Sequence, residues 1–174
     1  MAEPESEAAE SISFAEVVEA HWHAVFRMVH TLTGNSHDTE DLTQETFLRA
    51  LKRLATFQRG TNLRAWLLRI AANAFFDTQR KRKRKRANVQ PMEVEPPASA
   101  PAPGHRLEVA EESELLKTAM TELPNMTRLV FHLRATEDLS FKEIADMVGS
   151  TEQAARWHMH EARVRLLKKM GNKL

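Results

Sequence analysis

The side chains best suited to chemistry in this chain are hydrogen-bonding groups set at helical spacing. From Leu139 to Leu166 the sequence reads LSFKEIADMVGSTEQAARWHMHEARVRL. Glu152, Gln153, Arg156, Trp157, His160 and Arg163 share one face of a helix, and Ala155, Met159, Ala162 and Leu166 form an apolar stripe on the other. Arginine and glutamine make paired hydrogen bonds to base edges, so this face suits duplex DNA. A solvated helix face carries similar residues, and Trp157 suits either a sugar or methyl contact or packing on a neighbouring helix.

A second group lies upstream. The loop TFQRGTN (56–62) offers Phe57, Gln58, Arg59, Thr61 and Asn62, a mixture of aromatic, amide and guanidinium groups that suits an unstacked base. Phe57 equally suits a core. The helix RAWLLRIAANAFFDTQRKRKRKR (64–86) follows. Its run from Arg80 to Arg86 suits phosphate contact with salt-dependent affinity, or a solvated helix end. Asn73 sits mid-helix, where asparagine competes for backbone hydrogen bonds. A capping or core hydrogen bond, or a base-edge contact, would explain it. Further upstream, DTEDLTQETFLRAL (38–51) places Asp41, Gln44 and Glu45, with Thr43 beside them, on an acidic, amide-bearing face that should avoid DNA and could dock a basic helix. A solvated face is the alternative.

These groups need helices to hold them, and the composition supplies helices. Tyrosine and cysteine are absent, glycine is scarce, and Ala, Leu, Glu, Lys and Arg dominate, which predicts an all-α protein. Ser13 with Glu16 opens a first helix that Gly34 closes. A second is expected from Ser36 or Asp38 to about Leu54, with Leu42, Phe47, Leu48, Leu51 and Leu54 as its apolar positions. A third runs from Leu63 into the basic run. A fourth covers Leu107 to about Thr121, and a fifth opens at Pro124 and ends near Thr136. Ser140 with Glu143 caps a short sixth helix, Gly149 ends it, and Ser150 or Thr151 caps the seventh.

Between Ala87 and Arg106 stand five of the seven prolines, and this stretch lacks helical periodicity. It reads as a linker of about 60 Å at full polyproline extension. The expected organisation is a disordered acidic N-terminus (1–12), a three-helix unit (13–86), the linker (87–106) and a four-helix unit with a helix-turn-helix (107–174).

The net charge is only +1, but acidic residues crowd the N-terminus and seven basic residues follow one another from Arg80. Without cysteine there are no disulfides, thiolate metal sites or thiol nucleophile. His21 and His23, and His158 and His160, are spaced two apart and diverge on a helix, so no metal is expected. No phosphate loop or nucleophile elbow appears, so neither a cofactor nor enzyme chemistry is expected. No signal peptide or membrane insertion is expected either.

Taken in order, DTEDLTQETFLRAL, TFQRGTNLRAWLLRIAANAFFD, the basic tail and LPNMTRLVFHLRATEDLSFKEIADMVGS resemble the bacterial sigma-70 family of RNA polymerase factors, within it the extracytoplasmic-function (ECF) group. The resemblance covers nearly all of residues 13–170. It implies a cytoplasmic sigma factor whose two domains recognise promoter −10 and −35 elements and promote DNA opening. Asp41, Leu42, Gln44, Glu45 and Phe47 would bind the β′ clamp helices of core RNA polymerase, and the β flap would be a further polymerase contact. Phe57, Gln58, Arg59, Thr61, Asn62, Arg69, Asn73 and Arg80 would contact −10 promoter DNA. Thr151, Glu152, Gln153, Arg156, Trp157, His160 and Arg163 would contact the −35 element. An anti-sigma factor would be a further partner. The sequence departs from the family at Ser150, Thr151 and Trp157, which bears on base preference at the −35 element. A stand-alone helix-turn-helix regulator with an N-terminal effector-binding bundle is the competing reading.

Overall fold

The first helix starts where its backbone N–H groups find a partner. Glu16 reaches back to accept the Ser13 N–H at 3.1 Å, and α1 runs Phe14–Thr33. Gly34, at φ +73°, ends it in the left-handed conformation that a side chain would disfavour. In α2 (Ser36–Arg53) the cap is Asn35, whose side-chain oxygen accepts the Asp38 N–H at 2.9 Å. The helix thus begins at Ser36, the earlier of the two expected starts, behind a residue type that caps well. A single 3-10 turn, Leu54–Thr56, follows, and α3 spans Leu63–Ala87. The remaining helices are α4 (Leu107–Thr121), α5 (Asn125–Ala135), α6 (Phe141–Val148) and α7 (Glu152–Met170). This computed structural model describes residues 13–58, 60–87 and 107–171, and there is no strand among them. The expected N-terminal disorder and residues 88–106 of the linker lie outside the described residues, while Ala87, expected in the linker, ends α3.

One apolar core runs through both halves of the chain. Val25, Met28, Val29 and Leu32 of α1 join Leu67, Ala71 and Phe75 of α3, and the same cluster takes in Leu129, Leu133, Ile144 and Met159. Ala119 and Leu123 pack with Ala162 and Leu166 in a smaller cluster between α4 and α7. Removing such surface from water is the main stabilising term.

The inward face of α2 differs from the expected one. Thr39, Thr43, Thr46 and Ala50 are buried along it, while Leu48 is 60% and Leu51 49% exposed. Small residues at this spacing let α2 lie close to its neighbours. Thr46 meets its own polar demand by donating to Leu42 O at 2.7 Å.

Arg128 of α5 ties the halves together. It is buried, and its guanidinium donates to Leu32 O at 3.0 Å, to Leu123 O at 2.8 Å and to Thr121 O. A cation thus sits among carbonyls left open at the ends of α1 and α4, where the helix dipole favours positive charge.

Candidate nucleic-acid interface

The helix-turn-helix is built by three local devices. Ser140 and Glu143 form a reciprocal capping box at the start of α6. Gly149 turns the chain at φ +66°. Thr151 then caps α7 by accepting the Ala154 N–H at 3.1 Å, so its hydroxyl is committed to the helix. Ala155, Met159, Ala162 and Leu166 are buried, as their spacing requires. Glu152, Gln153, Arg156, Trp157, His160 and Arg163 are exposed together on the other side.

Trp157 is 57% exposed, and its ring stands T-shaped to that of the adjacent His158, with ring centres 4.9 Å apart. It is presented outward rather than packed on a neighbouring helix. His158 is held by Thr127 Oγ1 at 3.0 Å, and burial lowers its pKa against the opposing pull of Glu161. Arg156 lies 3.4 Å from the Glu152 carboxylate and 4.6 Å from the centre of the Phe141 ring.

In the N-terminal half, the loop before α3 is fixed at both ends. Phe57 is half-buried against Trp66, ring centres 5.2 Å apart and tilted by 56°. Asn62 caps α3 by accepting the Ala65 N–H at 3.1 Å, leaving its amide NH2 available. Gln58, Thr61 and Asn62 are exposed, and Thr61 Oγ1 donates to Gln58 O at 2.7 Å. Arg59 lies outside the described residues. Arg69 and Asn73 are both exposed, one turn apart on α3. Exposure removes a core hydrogen bond as the explanation of Asn73.

The basic end of α3 is partly neutralised. Arg80 pairs with Asp77 at 2.5 Å, and Arg82 with Asp38 at 2.7 Å. A hydrogen bond from Arg82, then one from Asn35, holds the Asp38 carboxyl below its ordinary pKa. Asp77 is held down in the same way by Arg80 and then Arg49. Among the described residues, Lys81 and residues 83–86 have no carboxylate partner and remain exposed.

The face expected to meet a protein divides in two. Asp41 and Gln44 are exposed, and Glu45 is half-exposed and bonded to Arg49 at 2.6 Å. Leu42 and Phe47 are 6% and 4% exposed, so they serve the core instead. The Phe47 ring stacks on Trp22 at 5.5 Å and meets Phe14 edge-on. Leu48 and Leu51, which periodicity placed inward, continue the exposed stripe of Asp41 and Gln44. The run of small residues Thr39, Thr43, Thr46 and Ala50 on the opposite stripe is the sequence signal that could have found them.

Among the described residues, no cluster of three or more His, Asp or Glu side chains could hold a metal, and no helix is long and apolar enough to cross a membrane.

An exposed helix-turn-helix face, a loop-and-helix site with unspent amide groups, and a separate acidic and leucine-bearing face define a multi-point nucleic-acid protein. Comparison with known proteins makes this specific. Residues 17–85 match Sigma-70 region 2, and residues 113–166 match Sigma-70, region 4. The chain is 32% identical over 136 residues to the ECF RNA polymerase sigma factor EcfG of Rhodopseudomonas palustris, covering 78% of this chain and 73% of that one. It is 36% identical over 155 residues to the ECF RNA polymerase sigma factor SigE of Mycolicibacterium smegmatis, covering 88% of this chain but only 60% of the relative's length. The fold is similar to the sigma factor RpoE of Bartonella quintana, solved with the anti-sigma factor NepR, at a TM-score of 0.79 and 25% identity over 92% of this chain and 98% of that one. CnrH, solved with the cytosolic domain of CnrY, gives a TM-score of 0.63 at 25% identity over 92% and 89%. The chain belongs to the sigma-70 family and, within it, to the ECF RNA polymerase sigma factors. The reading as an isolated helix-turn-helix regulator is not favoured, because Sigma-70 region 2 precedes Sigma-70, region 4 in the same chain.

Proposed function

We propose that this chain, acting in the bacterial cytoplasm, binds core RNA polymerase and directs it to promoters through two readers, one in a unit spanning residues 13–86 and one in residues 107–174. The observation that carries this reading is the division of exposed surface. Gln153, Arg156, Trp157 and His160 are presented on α7, while Arg69 and Asn73 are presented on α3 beside the Phe57–Asn62 loop.

The division fits the physics of initiation. The α7 face enters a major groove at the −35 element and supplies register and affinity, with Arg156 and Gln153 suited to base edges. Opening requires bases to unstack, and a captured −10 base offsets a few kcal/mol of that cost. Asn73, Gln58 and the NH2 of Asn62 supply the amide groups for such a base. Arg69 and the end of α3 follow the phosphate backbone.

Core polymerase docks on α2. Asp41, Gln44 and Glu45 form the polar part of that face. Leu48 and Leu51 form its apolar part, while Leu42 and Phe47 hold the helix in place from below. The occupant is the clamp-helix pair of the β′ subunit; the β flap meets the C-terminal unit. An anti-sigma factor is a further partner, since the similar sigma factor RpoE has been solved with one bound.

The test is reconstitution. The chain mixed with bacterial core polymerase should co-elute with it and start transcription at defined sites. Absence of both association and site-specific transcripts would refute the proposal.

A further inference from the structure

Phe141 opens α6 and is half-buried, with its ring among cations from two other helices. The Arg156 guanidinium carbon lies 4.6 Å from the ring centre, and that of Arg134 lies 5.6 Å away. Both distances are within the range in which an aromatic face attracts a cation. Each arginine is also tied to a carboxylate four residues away in sequence: Arg156 to Glu152 on α7 at 3.4 Å, and Arg134 to Asp138 in the turn after α5 at 2.7 Å. The Arg156 side chain is 61% exposed, and both of these contacts bear on its guanidinium.

An arginine reads a base edge through a planar fork, and the fork discriminates only when its orientation is fixed. A freely rotating guanidinium loses rotamer freedom on binding and can turn to a phosphate instead. A flat ring under it fixes the plane, whereas the Glu152 carboxylate fixes only one nitrogen. We propose that Phe141 is a positioning residue for promoter recognition: its ring holds the Arg156 guanidinium in the orientation that meets a base edge. This rests on the reading of Arg156 as a base reader. It makes a residue of the supporting helix, which need not touch DNA, a determinant of sequence preference.

The probe is a library of duplex DNA randomised across the upstream promoter element, selected by holoenzyme reconstituted with core polymerase and then sequenced. Arg156→Ala marks the positions that Arg156 reads by flattening their preference roughly tenfold or more. Phe141→Leu keeps an apolar side chain but removes the ring. It should flatten preference at those same positions by roughly two- to fivefold, and Phe141→Tyr should retain the wild-type preference. A direct readout needs no DNA: the Arg156 side-chain Nε–H resonance should be displaced by the ring in the wild type and in Phe141→Tyr, and should lose that displacement in Phe141→Met and Phe141→Leu. If Arg156→Ala flattens nothing, the base-reading assignment falls and the positioning role falls with it. If Arg156→Ala flattens a position that Phe141→Leu leaves intact, or if Phe141→Leu weakens all sequences equally, the positioning role alone is overturned.

Discussion

The carboxylate of Glu137, with 1% of its side chain exposed, accepts a hydrogen bond at 2.6 Å from Arg64 Nε, joining the turn after α5 to the start of α3. Arg27 stands 3.9 Å away and the imidazole of His132 3.7 Å away, so α1 and α5 close over the same acid. The two partners are unequally placed, because Arg64 remains 42% exposed. Removing Arg64 strands a buried charge, whereas removing the charge of Glu137 releases an arginine that water can solvate. Arg64→Met should therefore destabilise by about 2–3 kcal/mol and Glu137→Gln by about 1 kcal/mol. Urea unfolding of both variants measures this, and equal losses would mean that the pair behaves as an exposed one.

Acid should loosen the same seam. Burial, opposed by the Glu137 charge, pushes the His132 pKa down to about 4, below its ordinary 6.5. The unfolded chain therefore binds more protons than the folded one between those values. Stability then rises with pH across the window and falls as pH drops from about 6.5 to about 4. His21 and His158, also lowered chiefly by burial, act in the same direction. His132→Asn should give a shallower fall in denaturant midpoint over this range than the wild type, and an unchanged slope would remove His132 as a cause.

The α2 face separates docking from packing. Leu48→Ser with Leu51→Ser should weaken association with core polymerase about tenfold or more while changing stability by less than about 1 kcal/mol, because both leucines are already in water. Leu42→Ala and Phe47→Ala should instead cost about 2–5 kcal/mol in folding. Surface-binding titrations paired with thermal unfolding distinguish the two effects.

Asn73 offers a similar separation within the DNA site. Alanine has the better helix propensity at an exposed position, so Asn73→Ala should raise stability by a few tenths of a kcal/mol. Permanganate footprinting should nevertheless show slower or weaker promoter opening, with duplex binding largely kept. Equal loss of opening and duplex binding would argue against base capture.

Helix ends were legible in the sequence because each carries local chemistry. Ser13 with Glu16, Ser140 with Glu143, Gly34 and Gly149 stand where the structure uses them as caps. The stripe of α7 was legible for the same reason, since 3.6-residue periodicity is a local property. The face of α2 was not, because buried threonines took positions that hydrophobicity alone assigns to leucine. Contacts between the halves were also hidden. Glu137 and Arg64 lie 73 residues apart, and Arg128 looks like an ordinary helical arginine until Leu32 O is placed beside it. Capping by Thr151 and Asn62 further shows that a residue in a recognition segment can be committed to its own helix.

One chain reading two promoter elements for RNA polymerase should leave a pattern in where transcripts start. Its most direct measurement is start-site sequencing of transcripts made on fragmented bacterial genomic DNA by core polymerase with and without the chain. A set of starts should depend on the chain and share two upstream sequence elements at a fixed separation, with Arg156→Ala relaxing the distal element and Asn73→Ala reducing output at the proximal one. Starts identical to those of core polymerase alone, or starts sharing no paired elements, would contradict it.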